Sequence, residues 1–305
     1  MPFRGSTSAI AAATIAVLML ISPVQSAEVS KYPDWKGAWT RWFPPGSVLE
    51  PNGGFTAGGQ PSHDQTKPWG RGQEVPLTPE YQKIFEESLA DQAAGGQGLF
   101  FDHAVRCMPG GMPLITIGFG AMEYIVTPET TYIAPGGGEP LRRIFTDGRD
   151  WPRDLADYEP TYAGYSIGKW IDEDGDGIYD VLEVETRGPF KGPRVYDATG
   201  LPLHFDNQSI FKERIFRDKA DPRILHDVIT VTDNALTRPW TVDKKYIRNA
   251  NPRFRWGEVS CAENMRNSMV AIGKESYFMS GDGMLMPVRK DQPPPDLRYF
   301  KQTQK

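Results

Sequence analysis

Cysteine and histidine are both scarce in this chain: two of the former, Cys107 and Cys261, and four of the latter, His63, His103, His204 and His226. None of the histidines stands at H-x-H, H-E-x-x-H or another tight ligand spacing, which argues against a transition-metal site. The G-x-S-x-G and P-loop patterns are missing, as is G-x-G-x-x-G between a strand and a helix, so neither a serine-hydrolase elbow nor a nucleotide-cofactor cradle is read. Past the first 26 residues no run is long and apolar enough to span a bilayer, and stable membrane insertion is not expected. Positive charge is not in excess either. Lys and Arg number 34 against 39 Asp and Glu, a net charge of −5, which speaks against nucleic acid or an anionic membrane as partner.

The first residues carry an export pattern. Arg4 and the amino terminus are positive, Ala9 to Ile21 is apolar but for Thr14, and Pro23 breaks the run before Val24-Gln25-Ser26. Residues 1–26 are predicted to be a signal peptide cleaved after Ser26, or else after Ala27. The alternative, an uncleaved anchor, would need about 20 apolar residues. No Cys follows the run, so no lipid anchor is expected. The mature chain is expected in a periplasm or secreted. In that oxidising setting Cys107 and Cys261 are expected to form one disulfide. It would close a loop of ~150 residues, for which chain entropy gives roughly 5 kcal/mol. The alternative, a nucleophilic Cys, requires a paired base and a reducing environment.

What is abundant points to turns and strands: 31 Gly and 27 Pro, with 8 Trp, 12 Tyr and 15 Phe among them. One helix is predicted after Thr78, with Pro79 at N1, Glu80 in the first turn, an apolar stripe of Tyr81, Ile84, Phe85 and Leu89, and a stop at Gly95-Gly96. Strands are predicted at Gly37–Trp42, Leu114–Phe119, Met122–Tyr132, Leu141–Phe145, Ala163–Trp170, Tyr179–Thr186, Ser209–Arg217, Leu225–Thr232 and Val242–Arg248, with a last one within Arg253–Glu263. Short connections between them favour a mainly β fold, an up-and-down antiparallel barrel of about 8–10 strands with one N-terminal helix and long loops. Segment 27–104 would pack its strand, irregular stretch and helix on a barrel core and C-terminal tail at 105–305, as one domain.

Arg106-Cys107-Met108-Pro109, Arg142-Arg143-Ile144-Phe145-Thr146-Asp147-Gly148-Arg149, Pro160-Thr161-Tyr162 with Ser166–Trp170, Pro202-Leu203-His204, Arg238-Pro239-Trp240-Thr241 and Glu258–Asn264 together resemble a family of exported bacterial β-barrel proteins. These resemble lipocalins and calycins, and Gly37-Ala38-Trp39 is similar to the lipocalin first-strand Gly-x-Trp. The resemblance implies the barrel and the compartment but no reaction. The chain departs from the family pattern in an acidic insertion, Asp172 to Asp180, and in Phe205-Asp206 after His204, where a hydroxyl residue is expected.

Asp172, Asp174, Asp176 and Glu183 match the D-x-D-x-D-G-x5-E calcium spacing, although strand-like flanks replace the helices of an EF-hand. Structural calcium is one reading and a solvated acidic hairpin the other; no other cofactor is required. In Arg142-Arg143 only one side chain can enter a lumen, where it would need a carboxylate such as Glu213 or Glu183. Three functions follow. In the first, the lumen binds a small hydrophobic or aromatic molecule against Tyr124, Tyr162, Tyr165, Trp170 and Phe211. In the second, a cofactor-independent lyase, isomerase or dehydratase uses Tyr162, His204, Asp147 and Glu213 for proton transfer and Arg143 or Arg149 for a developing anion. In the third, a filled barrel serves a structural envelope role.

Overall fold

The computed structural model describes residues 31–42, 67–68, 70–94, 98–99, 109–117, 120–136, 139–192, 194–256, 269–272, 275–279, 285–287, 289 and 291–294. The expected signal peptide, His63, His103, Cys107 and Cys261 lie outside them, and the expected disulfide with them.

Nine strands close into a barrel in chain order. They are β1 (Ala38–Arg41), β2 (Met122–Val126), β3 (Thr130–Pro135), β4 (Arg142–Phe145), β5 (Tyr165–Ile171), β6 (Val181–Arg187), β7 (Ile210–Arg217), β8 (Ile224–Thr232) and β9 (Trp240–Arg248). β1 pairs with both β2 and β9, which leaves the sheet no open edge. Neighbours are antiparallel except β4 and β5, which run parallel. Parity requires this exception to the expected up-and-down pattern. A ring of strictly alternating strands needs an even number, so nine strands force one parallel pair. Parallel neighbours need a long crossover, and residues 146–164 supply it. At the same joint Gly168 is required by packing: a Cβ there would lie 2.6 Å from Ile144 Cγ2.

Some predicted elements change. Met122–Tyr132 is two strands, because Pro128 and the Thr127–Thr130 hydrogen bonds make a hairpin turn there. Leu114–Ile117 is a 3-10 turn and no strand; all four of its residues are buried, so its apolar run has no exposed face. Arg253–Trp256 is not strand. The expected C-terminal tail contains a second, three-stranded antiparallel sheet of β10 (Met269–Ile272), β11 (Glu275–Met279) and β12 (Leu285–Pro287).

The helix α1 (Pro79–Ala93) forms as predicted, with the Thr78 hydroxyl accepting from Tyr81 N and Pro79 in the first turn. Phe85 and Leu89 cover one end of the barrel, packing with Phe211, Ile229, Val231, Trp240 and Val242. Toward the other end lie Trp39, Ile133, Ile144, Trp170, Leu182 and Ile215. Trp35 joins them, and Trp39 Nε1 donates to its carbonyl at 2.8 Å. Among the described residues no helix is long and apolar enough to cross a membrane.

Candidate functional site

Between these two apolar layers the inward positions of the strands are polar. Arg142 of β4 is the arginine that enters, 1% exposed, and Glu213 of β7 is its partner. Arg142 Nη1 donates to Glu213 Oε1 at 2.8 Å and Nη2 donates to Oε2. Thr186 Oγ1 accepts from Nη2 at 2.8 Å, and Ser166 Oγ accepts from Nε at 3.3 Å. A buried guanidinium is tolerable only with such paired and hydrogen-bonded surroundings. Arg143, one residue on, faces outward over the Tyr132 ring.

Next to this pair stand two groups that the sequence reading did not single out. Asp227 of β8 faces Lys244 of β9 across the ladder, and both are buried. Burial, with the Glu213 charge adding to it, raises the Asp227 carboxyl well above its ordinary value, and the Lys244 and Arg142 charges oppose the shift. Burial lowers the Lys244 ammonium to about 8 against the opposing pull of Asp227 and Asp197. Tyr124, Tyr196 and Tyr246 line the same interior, and desolvation holds their hydroxyls far above the ordinary phenol range. Among the described residues Asp227 Oδ1 and the Tyr196 hydroxyl are buried without a hydrogen-bond partner.

The wall beside Lys244 is not strand. β1 ends at Arg41, opposite Tyr246, while β9 reaches back to Trp240. The Leu114–Ile117 turn fills the place, held where Lys244 Nζ donates to Thr116 Oγ1 at 2.5 Å and the Tyr246 hydroxyl donates to the Thr116 carbonyl. The turn is anchored by Met112 N donating to the Tyr162 carbonyl at 2.9 Å; Gly111, at φ +63°, approaches so closely that a Cβ would sit 2.4 Å from that oxygen. Arg41, Trp42, Thr116, Ile117, Lys244, Lys245 and Tyr246 enclose a recess here of about 10 Å³. A wider groove of about 530 Å³ crosses the outer face of β5–β8. Along it Glu185 pairs with Arg187 and Lys212, and Arg214 pairs with Glu173.

The expected proton-transfer set is dispersed. Glu213 is in the lumen, bound to Arg142. Asp147 and Arg149 pair with each other on the exposed crossover, with Arg149 over the Phe145 ring at 3.8 Å. The Tyr162 ring lies 5.7 Å beneath Lys191 Nζ. His204 sits at the α1 end, its ring 5.5 Å from that of Tyr81 and its Nδ1 3.1 Å from Asp206 Oδ2. Of the expected wall residues, Tyr124, Trp170 and Phe211 are packed in the core. Tyr165 is a correction: strand alternation turns it outward, against Phe145, Trp151 and Tyr158.

Asp172, Asp174 and Asp176 bring carboxylate oxygens within 4.8 Å of one another. Their oxygens accept backbone N–H groups of Gly175, Gly177, Asp176 and Ile178, as in a self-capped loop. Glu183 does not join them. It lies on β6, where its side chain faces Arg214 at 4.0 Å.

Comparison with protein-family models and with curated proteins finds no match. The closed nine-stranded barrel is compatible with a lipocalin-like architecture, and the site has to be read from its own chemistry.

Proposed function

We propose that this chain is an exported small-molecule-binding barrel whose ligand enters at the recess between the end of β1, the Leu114–Ile117 turn and β9. The observation that carries this reading is a set of buried, incompletely satisfied polar groups, Asp227 Oδ1 and the Tyr196 hydroxyl, in the same interior as a cavity flanked by Trp42, Ile117 and Tyr246. Protein cores rarely leave such atoms unpaired, and where they do a function is the first explanation to test. The aromatic and apolar flank suits a small aromatic or apolar molecule with one polar end. Native mass spectrometry of the protein isolated from its exporting host is expected to show an adduct of constant mass, released on denaturation. Protein free of adduct, with a melting temperature unmoved by a library of small aromatic metabolites, overturns the reading. Amino-terminal sequencing of the exported form, expected to begin at Ala27, tests the compartment.

The second reading, acid–base catalysis, is favoured by one observation: a buried Asp227, its carboxyl raised above the ordinary value, faces across the ladder an ammonium lowered to about 8. Perturbed neighbours of this kind are what proton transfer near neutrality requires, though structural networks produce them too. Turnover that survives Asp227→Asn would remove it.

A further inference from the structure

The outer face of β5–β8 carries its charges strand by strand. On β6 the outward residues Glu183 and Glu185 are acidic, and on β7 the outward residues Lys212 and Arg214 are basic. The ladder sets Glu183 opposite Arg214 and Glu185 opposite Lys212. Within the chain these pairs stand 4.0 and 3.5 Å apart, and all but Glu185 are more than a third exposed. Glu185 also meets Arg187, and Arg214 meets Glu173. Exposed pairs of this kind add little to stability, so folding alone does not account for the segregation of sign. The flanking strands complete two rows. Ile167 of β5 and Thr230 of β8 end the Glu185–Lys212 row, and Lys169 and Val228 end the Glu183–Arg214 row. Between them runs the groove of about 530 Å³.

The two turns at one end of this face are opposite in charge as well. The β5–β6 turn is the acidic insertion, with Asp172, Glu173, Asp174 and Asp176. The β7–β8 turn sets Arg217, Lys219 and Arg223 against Asp218 and Asp221. Ile171 pairs with Val181, Val181 with Phe216, and Arg217 with Leu225, so both turns lie at the same end of the sheet. Lys219 is exposed and among the described residues has no ion pair. One symmetry operation uses the whole pattern. A two-fold axis parallel to the strands, between β6 and β7, lays a second copy face to face, β6 over β7 and β5 over β8. Glu183 then meets the partner's Arg214, and Glu185 meets the partner's Lys212. Ile167 meets the partner's Thr230, and the acidic turn lies over the partner's basic one. An axis across the strands would instead set Glu183 on Glu185 and Arg214 on Lys212, like on like, which is costly.

We propose that the outer face of β5–β8 is the contact between two copies of this chain, a two-fold dimer in which the acidic β6 and its turn meet the basic β7 and its turn. The proposal is independent of what the lumen holds. A second copy fits better than an unrelated partner because each charged strand finds its complement within the same face, as a two-fold interface requires. It also gives the acidic insertion a place to dock. The face offers fewer residues than the roughly 20–30 a side of a standard interface, so the dimer is weak, with a dissociation constant on the order of 10–100 µM. The net charge of −5 on each copy opposes it only at long range, and about 0.1 M salt screens that repulsion within about 10 Å.

The test is sedimentation velocity of the full chain from about 5 to about 500 µM in about 0.1 M sodium chloride. A shift from monomer to dimer across that range is expected, weakened several-fold in about 1 M salt. Glu183→Lys with Glu185→Lys makes both central strands basic, and Lys212→Glu with Arg214→Glu makes both acidic. Each double variant alone is expected to self-associate at least about tenfold more weakly. Mixed in equal amounts, the two are expected to form a heterodimer at least as tight as the unaltered dimer, a rescue that misfolded variants cannot give. A chain that stays monomeric at about 500 µM leaves the face to some other partner and overturns the proposal. So does a dimer that persists in both double variants, which places the contact elsewhere on the chain. Failure of the two variants to associate when mixed, although each unfolds cooperatively in urea, overturns it too. Association of the unaltered chain that is insensitive to salt does the same, a result that needs no variant to fold.

Discussion

Replacing Arg142 by Met is the sharpest test of how the barrel interior is balanced. The side chain of Glu213 is fully buried and gives both oxygens to Arg142, so the substitution leaves a carboxylate in the core with no cation of its own. Removing one partner of such a pair typically costs about 3–5 kcal/mol, most of it the desolvation of the stranded charge. Protonation removes the stranded charge, so the penalty is expected to be smaller at pH 4.5 than at pH 7.5. The nearby hydroxyls of Thr186 and Ser166, which form a 2.8 Å hydrogen bond with each other, can then serve the neutral side chain. Arg142→Met with Glu213→Leu removes both charges and is expected to lose only about 1–2 kcal/mol, since a buried pair is worth little over an apolar replacement. Urea unfolding followed by tryptophan fluorescence at pH 4.5, 6 and 7.5 measures all of this, provided the slope with denaturant is unchanged. A single-variant loss that does not vary with pH, or a double variant as damaged as the two single losses combined, would refute the reasoning.

Four further outcomes are expected. His226, stacked on Phe216 and held by Asp243 and Asp218, has its pKa raised by the Asp243 hydrogen bond foremost. Its stabilisation is therefore complete below about 6.5 and lost as pH rises through the folded value; an NMR titration midpoint at or below 6.5 contradicts this. Burial raises the Asp227 pKa, so the loss caused by Asp227→Asn is expected to shrink as pH rises above the unfolded value of about 3.9, and a loss in urea unfolding that instead grows with pH would contradict that direction. Gly168→Ala forces a methyl against Ile144 and should cost about 1–3 kcal/mol in the same assay. With Glu183 facing Arg214, the Asp172–Asp176 loop offers three carboxylates, and calcium half-saturation in calorimetry is expected no tighter than about 1 mM; a micromolar site would show that Glu183 swings in.

The barrel was legible in the sequence because alternation and turn chemistry are local. Thr78-Pro79-Glu80 and the stripe ending at Leu89 specify α1 without reference to the rest of the chain. That only one of Arg142 and Arg143 could enter was legible too, since strand neighbours cannot share a face; which one was not, and Arg143, expected to meet an anion, faces outward. Leu114–Ile117 misled because a short apolar run reads alike as strand or as buried turn. What decides it is Thr116 meeting Lys244 and Tyr246, some 130 residues on in the chain. The parallel joint at β4–β5 escaped for a similar reason: the direction of a strand depends on closure of the whole ring, which no single segment reports.

The polar centre left a signal that a search for known motifs passes over. On the inward face of β8 the order is Leu225, Asp227, Ile229, Val231, and on that of β9 it is Trp240, Val242, Lys244, Tyr246. Each strand has one charged residue where alternation demands an apolar one, of opposite sign, on neighbouring strands. A charge on the core side of a strand is seldom neutral for stability, so its presence is already a statement about chemistry inside the barrel. Glu213, between Phe211 and Ile215 on β7, has the same character, and the structure identifies its cation as Arg142. Lys244 and Asp227, buried and opposite in sign, face each other across the β8–β9 ladder, and the charge of each offsets part of the other's burial. Among the described residues the barrel interior therefore holds two facing pairs of opposite charge, Arg142 with Glu213 joined by hydrogen bonds and Lys244 with Asp227 set across a ladder. The first is closed on itself and ties β4 to β7, whereas the second has the incomplete hydrogen bonding of Asp227 Oδ1 beside it and is where chemistry inside the barrel is to be sought.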